Sequence, residues 1–549
     1  MRNHFFRLIR GVQKMRLISH GIAVLLLWFS INYINLLRAN EPVPEDARLG
    51  FQTISADNMK AILNFLASDE LEGRATGHRG LKIAAKFLES QYRLAGLTPV
   101  PGHDSMLQKF FILENTLDTT SSISVSMNIN SAQITHKFSL YNDFWIPSRG
   151  SASYTIQAPV VFAGYGLKDD STGYNDFKGL KQVKGKILLI FADVPEFISP
   201  RKQMKVSPRR LLREQRKKKV QRAEEVGAVA VLMITQQSIP KQVTHFKKWL
   251  NRPTYRLRSS PQAIPQFIIS EELANALLSN SGWTAKKLRE KIAATEKPYS
   301  LPIKGAVILL DVKIQTKLKE TQNVVAYLKG SDPQLNHEVL AFGAHYDHLG
   351  MDDEGHIFNG ADDDGSGTTG LLEIARAFAK NPIRPQRSLL FISHTGEERG
   401  LLGSGYYTEN PLVPLENTVT LLNMDMIGRN AENSVYIIGS DFLSKELHEL
   451  NEAANTSVGL ELDYKYNSKS DPNRFYYRSD HYNYAKHGIP LIFYFAGTHK
   501  DYHKATDTVD KIDFKKMEKI ARLVYLTAWK VANLDHRLNI DSSTNSKVN

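Results

Sequence analysis

The stretch Ala-Phe-Gly-Ala-His-Tyr-Asp-His-Leu-Gly at residues 341–350 opens a region in which apolar runs end in His, Asp or Glu. Asn-Gly-Ala-Asp-Asp-Asp-Gly-Ser-Gly-Thr follows at 359–368, and Leu-Leu-Phe-Ile-Ser-His-Thr-Gly-Glu-Glu closes the region at 389–398. The runs Val339–Phe342 and Ser388–Ile392 indicate short buried strands. Ligands of open α/β sheets bind beyond the carboxyl ends of the strands. The spacing therefore predicts several metal-competent side chains in one crevice.

Two later segments repeat this pattern. Val419–Met424 is apolar and is followed by Asp425, and Ile489–Phe495 is apolar and leads to a loop that contains Tyr502 and His503. His and carboxylate ligands without Cys suit zinc or a similar divalent ion.

These five blocks, in this order, resemble the M28 zinc aminopeptidases, a family with two co-catalytic zinc ions. The resemblance implies an α/β, three-layer zinc-peptidase fold with a central mixed, mostly parallel sheet. It implies two Zn²⁺ ions per chain. His345 and Asp425 would bind one ion, Glu398 and His503 would bind the other, and Asp363 would bridge both.

The same resemblance assigns catalytic roles to three further residues. Glu397 is the implied general base, which takes a proton from the attacking water and passes it to the leaving amine. Asp347, two residues after His345, is implied to orient that His. Tyr502 is implied to donate a hydrogen bond to the oxyanion.

Other polar residues of the region are expected to serve the loops or the substrate pocket. Asp362 and Asp364 are expected to support the ligand-bearing loop. The block Arg478-Ser-Asp-His (478–481) matches one seen in some relatives, and a place in the substrate pocket is an alternative to a structural role for it. Six His residues are expected not to bind metal: His348, His356, His394, His481, His487 and His499.

The implied activity is removal of N-terminal residues from peptides. Carboxypeptidases, dipeptidases and single-zinc glutaminyl cyclases share the fold, although Asp363 and Glu398 argue against a cyclase. A non-catalytic binding or receptor protein is the alternative from another class. Such relatives lose metal ligands, whereas this sequence keeps all five implied ligands and Glu397.

The length of 549 residues predicts two or three domains. Residues 41–144 are expected to form the N-terminal part of the peptidase domain, and residues 306–536 its catalytic part. Short apolar strands with Gly turns at 145–305 resemble an inserted, mainly-β protease-associated (PA) domain. Residues 537–549 are polar and are predicted to be a disordered tail.

A helix–turn–helix entry precedes these segments. Met59, Ile62, Leu63 and Leu66 predict one helix with an apolar face. The sequence Asp-Glu-Leu-Glu-Gly-Arg (69–74) then turns into a second helix, and its acids are expected to cap helices and pack a loop rather than to catalyse.

Residues 1–39 predict a targeting segment. A basic start precedes an apolar core at Ile22–Phe29 and a small residue, Ala39, at a cleavage point. An uncleaved anchor is the alternative, because Leu17–Leu37 is long enough for a bilayer, which needs about 20 residues. Either interpretation predicts a periplasmic or extracellular protein, anchored to the membrane in the second case.

The net charge of +13 is local rather than general. Residues 1–39 contribute six basic residues and no acid, residues 201–222 contribute a net +10, and the remainder is slightly acidic. This distribution, without a recognised motif, excludes a general nucleic-acid role. Arg201–Arg222 is expected to be a solvated helix face, with docking to anionic lipid or cell-surface polyanions as the alternative. The absence of Cys excludes disulfides and thiolate zinc sites.

Overall fold

The structure of the chain is a computed structural model. The residues that it describes are 42–129, 132–147, 152–180, 183–198, 208–250, 252–260 and 262–541. The predicted targeting segment, residues 201–207 of the basic run and residues 542–549 of the predicted tail lie outside the described residues. None of the described helices is long and apolar enough to cross a membrane.

The helices and strands alternate along much of the described chain. The α-helices are α1 (Arg48–Thr53), α2 (Ala56–Leu66), α3 (Arg79–Leu94), α4 (Pro208–Glu225), α5 (Ile239–Leu250), α6 (Glu271–Leu278), α7 (Ala285–Thr295), α8 (Gly367–Lys380), α9 (Leu402–Glu409), α10 (Lys445–Asn455), α11 (His481–Ala485) and α12 (Phe514–Ala532). The β-strands are β1 (Leu107–Leu117), β2 (Ser122–Ile129), β3 (Ala132–Ser139), β4 (Phe144–Trp145), β5 (Tyr154–Ala163), β6 (Lys168–Asp169), β7 (Tyr174–Asn175), β8 (Ile187–Phe191), β9 (Ala230–Ile234), β10 (Thr254–Leu257), β11 (Gln266–Ile269), β12 (Ser300–Val312), β13 (Ile314–Leu328), β14 (Val339–His345), β15 (Gly350–Met351), β16 (Ile357–Phe358), β17 (Ser388–His394), β18 (Thr418–Met424), β19 (Ser434–Ile438), β20 (Glu461–Asp463) and β21 (Leu491–Phe495).

The chain divides into two compact units. Unit 1 contains the described residues up to Phe110 and from Thr321 onward, and unit 2 is Phe111–Glu320. Unit 2 is therefore larger than the insertion predicted at 145–305. The difference arises because β2 pairs with β12 and β3 pairs with β2, which adds residues before 145 to the sheet of unit 2. The assignment of this insertion to the PA domains stays a prediction.

Unit 1 is built on a mixed sheet with the strand order β13-β17-β14-β18-β21-β19-β20. The central strands β17, β14, β18 and β21 are parallel to one another. β13 and β19 pair with this parallel group in the antiparallel sense. The predicted central, mostly parallel sheet is confirmed.

Helices cover both faces of this sheet. Successive side chains of a strand point to opposite faces, and all residues of β14 are buried. Phe342 packs 6.0 Å, between ring centroids, from Phe378 of α8 on one face. Ala341 belongs to the core of the other face, with Tyr407 of α9 and Tyr484 of α11. The predicted three-layer fold is confirmed, and burial on both faces explains why these strands are continuous apolar runs.

Unit 2 contains an eight-stranded sheet with the order β3-β2-β12-β5-β8-β9-β11-β4. The strands β5, β8, β9 and β11 are parallel. The helices α4 and α5 contribute to the core on one face, and α6 and α7 contribute to the core on the other. Much of the predicted basic run lies in α4, where Arg213, Lys217 and Lys218 are exposed but Lys219 is buried.

Candidate metal centre

Four of the five implied ligands lie at the carboxyl edge of the unit 1 sheet. His345 is the last residue of β14, and Asp425 directly follows β18. Glu397 and Glu398 lie in the turn after β17, and His503 lies in the loop after β21. These strands are parallel neighbours, so their carboxyl ends bring distant residues to one place.

Asp363, the fifth implied ligand, faces two groups of side chains. It lies in the tight turn Ala361–Ser366 before α8. Its Oδ1 atom is 3.3 Å from His345 Nε2, and its Oδ2 atom is 3.1 Å from His503 Nε2. Asp425 Oδ1 is 3.6 Å from His345 Nε2, and Glu398 Oε2 is 3.3 Å from His503 Nε2. One carboxylate therefore contributes an oxygen to each group.

The donor atoms and their spacing fit a zinc-like cation. Two ligands that are each about 2.0–2.1 Å from a tetrahedral zinc ion are about 3.3 Å apart. The distances from the His nitrogen to the carboxylate oxygens within the two groups are 3.1–3.6 Å. Imidazole nitrogens and carboxylate oxygens suit borderline divalent ions. Each group supplies three side chains, which leaves a coordination position for water or substrate.

His348, which was expected from the sequence not to bind metal, is close to the second group. Its Nδ1 atom is 2.8 Å from Glu398 Oε1 and 4.0 Å from Asp363 Oδ2, and the side chain is buried. His348, Asp363 and Glu398 also have atoms close enough to share an ion. The available signal was its position directly after Asp347, at the end of a buried strand.

Asp347 connects His345 to Glu397. Its backbone oxygen is 3.1 Å from His345 Nδ1, whereas its carboxylate Oδ1 is 3.7 Å from that nitrogen. Oδ1 also accepts a hydrogen bond of 3.1 Å from the Glu397 amide, and Oδ2 accepts one of 2.8 Å from the Thr76 hydroxyl. The residue thus holds the His through its backbone and the Glu through its side chain.

Two further carboxylates support the ligand-bearing residues. Asp364 Oδ2 accepts a hydrogen bond of 3.1 Å from the His345 amide. Asp507 Oδ2 accepts hydrogen bonds from the amides of Asp362 and Asp363, at 3.0 and 3.2 Å. Asp362 and Asp364 lie in the turn, as expected. The role of Asp507 had no signal in the sequence, because it bonds to amides more than 140 residues away.

The two adjacent glutamates differ in their electrostatic surroundings. Burial raises the pKa of the Glu397 carboxyl well above its ordinary value, and the charge of Glu398 adds to this effect. Burial also favours the neutral form of Glu398, but hydrogen bonds from His348 and His503 outweigh it and hold the pKa of Glu398 at about 2. The pKa values of the two adjacent carboxyls are therefore shifted in opposite directions.

A pocket opens onto this centre. Tyr502 lies at its edge, and the Tyr502 hydroxyl accepts a hydrogen bond of 3.1 Å from Arg478 Nη2. Of the predicted block 478–481, Arg478 and Ser479 reach the pocket. The lining residues are Asp363, Glu397, Asp425, Met426, Phe475, Arg478, Ser479, Phe493, Phe495, Thr498, Tyr502 and His503.

Unit 1 thus belongs to the α/β proteins that gather His and carboxylate ligands at the carboxyl edge of a parallel sheet. Residues 323–528 match the model of peptidase family M28. This match covers 206 of the 549 residues, and all of them lie in unit 1.

Curated relatives match part of the chain. A probable leucine aminopeptidase of Arthroderma otae is 28% identical over 229 residues, which are 40% of this chain and 60% of that protein. A probable zinc metalloprotease of Leptosphaeria maculans is 25% identical over 293 residues, 46% of this chain and 66% of that protein. The chain spans less than two thirds of the length of these relatives. Among solved structures, the aminopeptidase from Aneurinibacillus sp. strain AM-1 is 20% identical, with a TM-score of 0.49 over 90% of this chain and 98% of that chain.

Proposed function

We propose that the chain is a zinc aminopeptidase that binds two Zn²⁺ ions and hydrolyses the N-terminal peptide bond of peptide substrates. The observation that carries this proposal is the position of Asp363, whose two oxygens face two separate groups of ligands. The relatives described as leucine aminopeptidase and zinc metalloprotease support both the metal and the reaction. In this proposal His345 and Asp425 hold one ion, and Glu398 and His503 hold the other.

Glu397 is the proposed general base. It lines the pocket beside the ligands, and its amide is fixed by the Asp347 carboxylate. Zinc held by these ligands would lower the pKa of the attacking water and polarise the scissile carbonyl. The Glu397 carboxylate then accepts a proton from the attacking water and returns it to the leaving amine.

Tyr502 is the proposed donor to the oxyanion. Its hydroxyl is at the pocket edge and is oriented by Arg478, which donates to the hydroxyl oxygen and leaves the Tyr502 proton for the substrate. A fixed donor aimed at developing charge stabilises the transition state of acyl transfer.

The residues that line the pocket also favour one end of a peptide substrate and one class of first side chain. The Glu397 carboxyl lines the pocket beside the proposed ligands and is placed to bind a free α-amine, which favours an N-terminus over a C-terminal carboxylate. Met426, Phe475, Phe493 and Phe495 supply apolar walls. These walls favour a large apolar first residue, because burial of such a side chain stabilises the complex by about 1.5–3 kcal/mol.

Export is part of the proposal and rests on the sequence alone. The basic start and apolar core of residues 1–39 support a periplasmic or extracellular location, through a cleaved signal or an N-terminal anchor. Fractionation of cells that produce the full chain tests this, with recovery in the cytoplasm as the contradicting result.

A substrate panel with and without chelator tests the reaction. The purified chain is incubated with amino-acid p-nitroanilides that carry free or blocked amines, and we expect chelator-sensitive release from the free Leu and Phe substrates. Release from the blocked substrates or from C-terminal probes alone would replace the proposal with an endopeptidase or a carboxypeptidase. No release despite bound zinc would favour a specialised dipeptidase or a binding protein.

A further inference from the structure

The segment Asp69–Arg74, between α2 and α3, lies beneath the ligand-bearing loops. The Arg74 side chain is 1% exposed. Its Nε atom donates a hydrogen bond of 2.9 Å to the backbone oxygen of Tyr346, the residue between His345 and Asp347. The sequence predicted only that the acids of this segment cap helices and pack a loop, and it predicted no role for Arg74.

The rest of the guanidinium binds the loop that leads to Asp363. Nη1 donates 2.6 Å to the oxygen of Asn359, and Nη2 donates 2.9 Å to the oxygen of Gly360. Nη1 also donates to the oxygen of Leu66 at the end of α2. The planar guanidinium presents its donors in a fixed fork. Arg74 therefore links the loop that follows His345 to the loop that leads to Asp363.

Backbone and side-chain bonds from the next residues extend this contact. The Arg74 carbonyl accepts a hydrogen bond of 3.1 Å from the His348 amide. The Thr76 hydroxyl donates 2.8 Å to Asp347 Oδ2, the carboxylate that also holds Glu397. The short segment that contains Arg74 and Thr76, about 270 residues before His345 in sequence, thus contacts both ligand-bearing loops.

We propose that Arg74 and Thr76 are positioning residues that set the separation of the ligand-bearing loops and thereby the affinity for the cations. The inference rests on the proposed metal binding, but not on peptidase activity. Loss of outer support typically lowers metal affinity or activity by 10–100-fold. Lys retains the charge of Arg74 but not the fork, so Arg74→Lys removes the geometry selectively.

Arg387 provides a matched control in the same unit. It is also 1% exposed, and it donates to the backbone oxygens of Leu534 and His536 and to Glu338. Arg387→Lys removes a similar set of buried bonds without touching a ligand-bearing loop. Any general effect of losing a buried guanidinium therefore appears in both variants.

Cobalt titration of the metal-free full chain tests the inference, with visible absorption as the readout and thermal unfolding of the metal-free proteins as a second one. We expect Arg74→Lys to bind Co²⁺ about 10–100-fold more weakly and with an altered spectrum, and Arg387→Lys to lose thermal stability but keep wild-type affinity. Wild-type affinity and spectrum in Arg74→Lys would overturn the inference while the proposed function stood.

Thr76→Val decides the question if Arg74→Lys does not fold. The substitution keeps the shape of the side chain and removes only the hydroxyl that holds Asp347. Weaker Co²⁺ binding by Thr76→Val supports the inference, and unchanged binding overturns it. Failure of the wild-type chain to bind cobalt would instead count against the proposed function itself.

Discussion

Each unit has a cluster of charged side chains at the carboxyl ends of its parallel strands. The two clusters differ in the source of the counter-charge. In unit 2, β8 ends at Phe191, and Lys219 donates 2.7 and 2.6 Å to the backbone oxygens of Phe191 and Asp193. Arg289 pairs with the Asp193 carboxylate at 2.6 Å. In unit 1, the described ion-pair partners of Asp363 are His side chains.

This difference separates a structural cluster from a candidate centre. Unit 2 supplies its own cations, and burial lowers the pKa of Lys219 to about 7 against the opposing charges of Asp193 and Asp176. In unit 1, the carboxylates of Asp363, Glu398 and Asp425 converge on His345 and His503, which are proposed metal ligands themselves. Buried carboxylates need a counter-charge, and the proposed divalent cations would supply it there. A cluster of charged side chains at strand ends therefore does not by itself indicate a metal site. The chain must also lack side chains of opposite charge that would neutralise the cluster.

Asp363→Asn should have the largest effect on this contrast. The substitution keeps the shape of the shared ligand and removes the charge that faces both groups, so we expect loss of at least one cation and of detectable peptidase activity. Elemental analysis and the p-nitroanilide assay measure the two effects. Asp352→Asn is the matched control, because Asp352 belongs to a more exposed acidic cluster with Glu354 and His356. Equal metal content and activity in the two variants would contradict the account.

Glu397→Gln should separate chemistry from metal binding. The variant keeps the donors of both groups but lacks the proposed base, so we expect kcat to fall by about 10²–10⁴-fold. The metal content should stay at the wild-type value. A variant that retained wild-type kcat would remove Glu397 from the mechanism.

Asp347→Asn should have an intermediate effect. The amide group keeps one oxygen for the two hydrogen bonds that now come from the Glu397 amide and the Thr76 hydroxyl. We expect metal affinity or kcat/KM to fall by about 10–100-fold. Metal titration and steady-state kinetics measure the two quantities, and no change in either would show that the Asp347 carboxylate supports only the fold.

Lys219→Met should affect unit 2 alone. The variant leaves buried backbone oxygens without their donor, and each such loss costs about 1–3 kcal/mol of unfolding free energy. Denaturant unfolding measures that loss. We expect unchanged metal content and unchanged kcat/KM. A loss of bound metal in this variant would contradict the separation between the two clusters.

Sequence patterns located the strands and the residues at their ends. The apolar runs before His345, Glu397 and Asp425 are buried strands, because burial on both faces leaves a continuous apolar signal. The family resemblance assigned the five ligands to their positions, and the structure brings all five side chains together. Their roles as zinc ligands stay predictions until metal is measured.

The supporting residues were not predictable in the same way. Arg74 and Asp507 act through backbone carbonyls and amides, which carry no residue-type pattern. His348 was not predicted as a ligand, because a single additional His near a predicted ligand can be either a ligand or a structural residue. The predicted insertion at 145–305 begins later than unit 2, because β2 pairs with β12, more than 160 residues away, and β3 pairs with β2.

The number of zinc ions bound per chain tests the central claim most directly. Elemental analysis of the purified chain, after zinc reconstitution and removal of free metal, gives this number. The account predicts two zinc ions, since Asp363 faces two groups of ligands. A value of zero would contradict the metal centre itself, and a value of one that no excess of zinc could raise would contradict the bridging role of Asp363.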